Sequence, residues 1–284
     1  MITKMAMSNL ETKSSVIILA ANPDDGLLLR DVFAQHPDFH AITENTDKIW
    51  RQSNESYPFD TLSIRGHGTR KIQNTIQNYF AQQLKAQTKP RFAEYTHANI
   101  MRPAYIHKMM PHAKIIHIIR DGRYVSAQNL KSPHERLMTP NWHQQRLAFI
   151  LGKLKFWQKK HDENHLSWPE KRLECQNLDL AEIAALEWNK AIEICKYQSN
   201  YIPDTHFLEL RYEDLQFNTG EKMDELFKFI GFDRPPFELW SYLKNNIPSK
   251  IINWREDMNE TAQKHIVQST LPLLTDLEYC EKAA

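Results

Sequence analysis

The sequence predicts an α/β protein of three layers, αβα, with a central, mainly parallel sheet and a helical insertion. Two short apolar runs, at residues 15–21 and 114–119, are typical of strands that are buried on both faces of a parallel sheet. Each run leads into a turn and then into helical spacing, which is the strand–loop–helix order that α/β folds repeat.

The first part of the chain supplies the opening unit of this fold. The run SVIILAA at residues 15–21 predicts the first strand, and NPDDG at residues 22–26 is a strong turn signal. Residues 27–36 then show helical spacing and stop before Pro37. An amphipathic helix is predicted at 71–87, because its apolar side chains fall on one face.

The rest of the chain repeats the alternation of strands and helices. The further predicted elements are a short strand at 92–95, a helix at 103–110, the strand at 114–119, a turn at Asp121 and Gly122 with a helix from Tyr124, a long amphipathic helix at 180–199, a strand at 206–210, and helices at 221–230 and 261–277. Residues 131–180 are rich in charge, Trp and Pro, and they predict a helical insertion or lid. With no repeat and no linker, we predict a flexible tail at 1–13 and a single domain at 14–284.

The composition limits the partners and the compartment. The formal net charge is +1 over 284 residues, so no global field attracts nucleic acid or a membrane surface, and any anion selectivity must be local. The three cysteines have no zinc or disulfide spacing, and the 13 histidines give no ligand pattern, so we predict no metal site. No signal peptide or membrane-spanning run is evident, and we expect a cytoplasmic protein of unknown oligomeric state.

The segment KIIHIIRDGRYVSAQ predicts a local anion site. Arg120 leaves the carboxyl end of a buried strand, the edge where ligands bind in open α/β sheets. Arg120 and Arg123 flank the Asp-Gly turn, and the helix that follows offers free N–H groups, so together they could hold a phosphate. The alternative is a surface ion pair of Arg120 with Asp121 or Glu213.

Three segments in a fixed order carry a family resemblance: the RDGR turn, WNKAIE at 188–193 and RYEDL at 211–215. The chain resembles the PAPS-dependent sulfotransferases, where PAPS is 3′-phosphoadenosine 5′-phosphosulfate, and in particular the branch of the protein-tyrosine sulfotransferases and their bacterial relatives. The segments LLRDVFAQHPD at 28–38 and FKFIGF at 227–232 also match that branch. The resemblance implies a P-loop-like αβα fold and transfer of a sulfuryl group from PAPS to an acceptor hydroxyl or amine.

The resemblance also implies roles for individual residues. Arg120, with Arg123, would hold the 3′-phosphate, and Gln128 stands where relatives have a serine that joins it. Gly26 belongs to the loop that binds the 5′-phosphosulfate, and Trp254 resembles a late tryptophan near the nucleotide. Glu44 falls where the tyrosine branch carries the glutamate that takes the proton of the acceptor hydroxyl; the alternative is a solvated loop acid. The acceptor itself, a small molecule or a peptide, is not identified by the sequence.

The first loop departs from the family pattern. Relatives read approximately Pro-Arg-Ser-Gly-Thr-Thr, whereas this chain has Asp24 and Asp25 ahead of Gly26, and Tyr95 replaces a lysine that lies near the phosphates in relatives. Two unit charges of the same sign ~4 Å apart repel by on the order of 4 kcal/mol at an effective dielectric constant of ~20. Two cations expected at one subsite are therefore absent.

Three functions are compatible with these departures. The chain is a PAPS-dependent sulfotransferase with a modified phosphosulfate loop, a binding or regulatory protein on the same fold that has lost transfer, or an enzyme of another reaction class that uses Asp24 or Asp25 as acid or base. The glycine-rich basic turn at 65–71 could supply compensating anion donors, and the paired acids could instead hold a divalent ion.

Overall fold

A computed structural model describes residues 14–51, 69–131, 179–248, 253–256 and 258–279. The predicted tail and nearly all of the predicted insertion lie outside these residues. The chain divides into two compact units. Among the described residues the larger unit comprises 14–51, 69–120 and 191–248, and the smaller one comprises 121–131, 179–190, 253–256 and 258–279. That residues 14–284 form one domain stays a prediction.

The larger unit is built on a sheet of five strands, all parallel to their neighbours. In chain order the strands are β1 (Val16–Ala20), β2 (Phe39–Ile42), β3 (Arg91–Tyr95), β4 (Lys114–Ile119) and β5 (Phe207–Arg211). Their order across the sheet is β2-β3-β1-β4-β5, so β1 lies at the centre. The predicted α/β class with a parallel sheet is confirmed.

The helices in chain order are α1 (Pro23–Ala34), α2 (Asp47–Arg51), α3 (Arg70–Gln87), α4 (Pro103–Met109), α5 (Gly122–Lys131), α6 (Leu180–Ser199), α7 (Tyr212–Phe217), α8 (Thr219–Phe229), α9 (Phe237–Asn246) and α10 (Glu260–Asp276). Short 3₁₀ turns cover His97–Met101 and Asp204–His206. Within the described part of the chain, no helix combines the length and apolar composition that crossing a bilayer requires.

Burial explains why β1 reads as a continuous apolar run. All five of its residues are buried, because the sheet is covered on both faces. One face packs in a core of residues from all five strands and from α1, α7, α8 and α9, which includes Val16, Ile18, Phe33, Phe227 and Leu243. Burial of this core is the main source of stability of the larger unit.

The helix after β1 begins four residues earlier than predicted. Residues 22–26 are not a loop: Asn22 is the N-cap of α1, and its side-chain oxygen accepts a hydrogen bond from the backbone N–H of Asp24 at 3.1 Å. Pro23 takes the first helical position, where its missing N–H has no cost. Asp24 and Asp25 therefore lie in the first helical turn, where a negatively charged carboxylate interacts favourably with the helix dipole.

The sequence patterns missed β2. Its four residues, FHAI, are buried only at the two ends, so they show neither an apolar run nor strict alternation. β2 pairs with β3 in parallel and forms one edge of the sheet. The sequence patterns also missed α2 and α7, which have only five and six residues, and the ten-residue helix α9.

Candidate functional site

The carboxyl ends of the five parallel strands bring polar side chains to one edge of the larger unit. Asn22 follows β1, Glu44 follows β2, Thr96 follows β3, Arg120 follows β4 and Tyr212 follows β5. The chain leaves β1 towards β2 on one side of the sheet, and it leaves β4 towards β5 on the other side. The edge between β1 and β4 is thus a topological switch point, where α/β sheets bind ligands.

Arg120 at this switch point forms an ion pair with Asp25. Its Nη1 donates to Asp25 Oδ1 at 2.7 Å, and the two side chains are only 9% and 3% exposed. The guanidinium carbon also lies 3.6 Å from the centroid of the Tyr212 ring, a cation–π contact. Arg120 is therefore held at the sheet edge by an acid of α1 and an aromatic ring of α7.

Asp25 carries an unusual charge state. Burial raises the pKa of its carboxyl to about 7, although the charge and hydrogen bond of Arg120 act in the opposite direction. The nearby carboxylates of Asp24 and Glu213 raise it further. This end of the sheet thus gathers two further acidic side chains near the Asp25–Arg120 pair, and the Asp25 carboxyl titrates near neutral pH.

Gly26 is covered by an aromatic ring. A Cβ atom at this position would lie 2.2 Å from the nearest ring atom of Tyr95, so only glycine allows this packing. The backbone N–H of Gly26 donates to the carbonyl oxygen of Asn22 at 3.4 Å, as part of the helix. The Tyr95 hydroxyl hydrogen-bonds Nδ1 of His97 at 3.1 Å. The glycine that the sequence assigned to a phosphate loop has a packing role in this structure.

Glu44 lies just beyond β2 and is exposed. Its Oε1 accepts a hydrogen bond from the hydroxyl of Tyr79 on α3 at 2.6 Å, and this bond holds the pKa of the Glu44 carboxyl below its ordinary value. Two strands separate β2 from β4, so the two strand axes are about 14 Å apart. Glu44 and Arg120 could therefore act on different parts of one extended ligand.

A buried polar network supports the segment that carries Glu44, and the sequence patterns missed it. Glu94 of β3 is fully buried, and its two carboxylate oxygens accept hydrogen bonds from Thr46 Oγ1 at 2.6 Å and Asn99 Nδ2 at 2.9 Å. Arg102, also fully buried, donates to Asn99 Oδ1 and to Asp47 Oδ1. Burial raises the pKa of Glu94, while the hydroxyls of Thr46 and Thr96 and the charge of Arg102 lower it. The sequence signal that could have indicated this network is the group of polar residues directly after a buried strand.

The smaller unit contains three other predicted site residues. Arg123 is engaged by Asp121: Nη2 donates to Oδ2 at 2.6 Å and Nε donates to Oδ1 at 3.0 Å. Asp121 Oδ1 also accepts from the backbone N–H of Arg123 near the start of α5. Gln128 is partly buried on α5, and Trp254 is 8% exposed in an apolar cluster with Ala127, Ala181 and Ile266.

One group of side chains in the smaller unit has the composition of a cation site. Oxygen atoms of Asp179 and Glu182 and a ring nitrogen of His265 lie within 4.8 Å of one another. Asp179 Oδ1 accepts from the N–H of Glu182, and Glu182 Oε2 accepts from the N–H of Asp179, both at 2.9 Å. This reciprocal pair is a capping box at the start of α6, and Nδ1 of His265 hydrogen-bonds Asp179 Oδ2 at 2.5 Å, so these contacts explain the grouping without an ion.

The fit of a phosphosulfate nucleotide differs between the two subsites that the resemblance implies. A guanidinium at the switch point fits a phosphate group. The first turn of α1 does not fit a phosphosulfate while Asp24 and Asp25 are ionised, because both would repel it and the Gly26 N–H is used within the helix. Tyr95 offers no positive charge there. The residues present therefore fit the 3′-phosphate of the implied nucleotide better than its 5′-phosphosulfate.

A five-stranded parallel sheet of order β2-β3-β1-β4-β5, helices on both faces and a basic residue at the switch point define a P-loop-like αβα protein. A family model described as the sulfotransferase family matches residues 27–180, more than half of the chain. The chain belongs to the sulfotransferase family. The match begins directly after Gly26, so the segment at 22–26, which starts α1, lies before it.

Solved sulfotransferase structures share the fold. The sulfotransferase domain from the curacin biosynthetic pathway aligns with a TM-score of 0.52 and 14% identity over 94% of this chain and 98% of its own. Sulfotransferase STF9 from Mycobacterium avium aligns with a TM-score of 0.50 and 10% identity over 95% of this chain and 78% of its own. A sulfotransferase from Alicyclobacillus acidocaldarius aligns with a TM-score of 0.50 and 13% identity over 94% of this chain and 95% of its own. No curated protein sequence matches this chain significantly.

Proposed function

We propose that this protein transfers a sulfuryl group from PAPS to an acceptor hydroxyl or amine. The observation that carries the proposal is Arg120, which stands at the switch point of a sulfotransferase-family sheet. A guanidinium at this edge suits the 3′-phosphate of the nucleotide. By resemblance, Gly26, Arg123, Gln128 and Trp254 are further nucleotide contacts.

Glu44 is the proposed base. Its carboxylate is exposed at the same sheet edge, and its lowered pKa keeps it ionised at neutral pH, so it is able to accept a proton from an acceptor hydroxyl. The hydrogen bond from Tyr79 fixes the orientation of the carboxylate. The acceptor is a small molecule or a peptide, and the proposed location is the cytoplasm.

A second function is favoured by the first turn of α1. The Asp25 carboxylate is bound to Arg120, and the Tyr95 ring covers Gly26. These two contacts suit a protein that retains the sulfotransferase fold and binds a ligand at Arg120 without sulfuryl transfer. An enzyme of another reaction class is a third possibility, since a carboxyl that titrates near pH 7 is suited to proton transfer.

Calorimetry and turnover assays separate the first two functions. Titration with 3′-phosphoadenosine 5′-phosphate should show binding, and PAPS should then be consumed in the presence of a panel of hydroxyl and amine acceptors. Binding without consumption of PAPS by any acceptor would favour the ligand-binding function. The absence of binding would contradict sulfuryl transfer from PAPS, and also the version of the second function in which the ligand at Arg120 is the nucleotide.

A further inference from the structure

The Asp25 carboxylate occupies a position on Arg120 that a phosphate oxygen would take. The distance of 2.7 Å between Nη1 and Oδ1 is that of a charge-assisted hydrogen bond, which a phosphate would form with the same group. Arg120 is also held against the Tyr212 ring, which limits its freedom to turn towards another anion. A phosphate that approaches this guanidinium therefore meets a buried carboxylate already bound to it.

The surroundings of Asp25 offer little support to its negative charge once Arg120 is taken by another anion. The other groups that act on the carboxyl are the acids Asp24, on the same helix, and Glu213, on α7. The amide of Asn22 reaches Oδ1 only at 3.5 Å. An ionised Asp25 that lost Arg120 would be a buried charge facing two like charges, which is strongly disfavoured.

We propose that Asp25 is an internal competitor for the phosphate of the nucleotide, and that ligand binding at Arg120 is coupled to the uptake of one proton by the Asp25 carboxyl. This inference rests on the proposed nucleotide binding at Arg120. The proton comes from solvent and adds to the carboxylate, so the acid becomes a neutral carboxyl as the phosphate replaces it on the guanidinium. The pair then carries the same charge as an arginine with no acidic neighbour.

The pKa of Asp25, raised by burial to about 7, makes this exchange accessible near neutral pH. Below this pH the carboxyl is already protonated and binding takes up no proton there. Above it, each pH unit weakens binding about tenfold, because one proton enters with each ligand. Between pH 6 and pH 8 the apparent affinity should fall about tenfold through this group alone.

Two variants distinguish the competition by Asp25 from a general effect of the protein's net charge on nucleotide binding. D25N keeps a neutral side chain at the competing position at every pH. D24N removes the same formal charge one residue earlier, where the side chain is exposed and the Asp25–Arg120 pair is retained. The ligand is 3′-phosphoadenosine 5′-phosphate, whose phosphates titrate near pH 6 on their own. The same ligand and buffers are used for all three proteins, so this contribution is common to them.

Isothermal titration calorimetry at pH 6, 7 and 8, in two buffers of different ionisation enthalpy, gives affinity and proton uptake together. We expect the wild-type protein to take up close to one proton per ligand at pH 8, and D24N to behave in the same way. D25N should take up none through this site and should bind about tenfold more tightly than wild type at pH 8, but about equally at pH 6.

The outcomes are distinguishable. If wild type binds the nucleotide at pH 8 without proton uptake, or if D25N matches wild type in affinity at that pH, the competition is wrong while the proposed function stands. If none of the three proteins binds at any pH, the proposed function is wrong, and the inference falls with it. If D25N does not fold, as judged by circular dichroism, the proton uptake of the wild-type protein at pH 8 still decides.

Discussion

Replacing Asp25 by asparagine should change how the stability of the protein depends on pH. The carboxyl has an ordinary pKa of 3.8, and burial raises it to about 7 in the folded protein. A group with a raised pKa stabilises the fold fully below its unfolded pKa, and this contribution is lost as the pH rises towards the folded pKa. Asp25 therefore makes the unfolding free energy fall between pH 4 and pH 7, and an asparagine side chain, which does not titrate, has no such effect.

The magnitude follows from the size of the shift. One pKa unit corresponds to about 1.4 kcal/mol, so a rise of about three units corresponds to about 4 kcal/mol in total. Relative to D25N, the wild-type protein should lose about 1.4 kcal/mol of unfolding free energy per pH unit between pH 4 and pH 7, and level off above pH 7. The slope of this loss against pH identifies Asp25 as its source.

Urea unfolding followed by circular dichroism at several values between pH 5 and pH 8 measures this difference. D24N is the matched control, because it removes the same charge from the exposed neighbouring position. Its unfolding free energy should fall with pH as that of wild type does, over a slightly shorter range, because the pKa of Asp25 is raised less without the Asp24 charge. A constant difference between wild type and D25N over the whole range would show that Asp25 is ionised throughout, and the account of the Asp25–Arg120 pair would be wrong.

Other substitutions test the remaining features of the site. G26A should lower the unfolding free energy by about 1–3 kcal/mol, because its Cβ would meet the buried Tyr95 ring at 2.2 Å, and the cost should largely disappear in a Y95A background; an equal cost in both backgrounds would refute the contact. E44Q should reduce sulfuryl transfer about 10²–10⁴-fold and leave the affinity for 3′-phosphoadenosine 5′-phosphate unchanged, whereas retained turnover would exclude Glu44 as the base. Y79F removes the hydrogen bond that lowers the pKa of Glu44, so the acid limb of the pH–rate profile should move to higher pH, and an unmoved limb would count against the pair.

The strands that could be predicted are those whose burial is visible in the composition. β1 and β4 are covered on both faces, so nearly every residue is apolar and the runs stand out. β2 could not be predicted because its two inner residues are only half-buried and the strand that it pairs with is distant in sequence. The start of α1 was misplaced because Asn, Pro and Asp are both turn residues and residues that begin a helix.

The partners within the site could not be predicted. The sequence offers Asp121 and Glu213 as partners of Arg120 and gives no sign of its ion pair with Asp25, which is 95 residues away. The pairing arises because β1 and β4 are adjacent and parallel, so the segments that follow them meet at one edge. The contact between Gly26 and Tyr95 has the same origin, since β3 lies on the other side of β1. Such contacts depend on strand order, which no local pattern contains.

The contacts of Asp25 and Tyr95 show what the residues that depart from the family pattern do in this structure. Relatives place cations and hydroxyls where this chain has two acids and a tyrosine. The structure uses one of those acids to bind the arginine at the switch point, and it uses the tyrosine to cover the glycine. Two of the altered residues, Asp25 and Tyr95, thus each have a specific partner in the structure.

The central claim is that the Arg120 guanidinium is the anion-binding group of this sheet edge, and one comparison tests it most directly. Calorimetric titration of D25N and of the double variant D25N/R120Q with 3′-phosphoadenosine 5′-phosphate removes the guanidinium without leaving a buried carboxylate unpaired. We predict measurable binding by D25N and a loss of at least about tenfold in the double variant, as expected for a charge-assisted contact to phosphate. Equal affinities of the two proteins would contradict the claim.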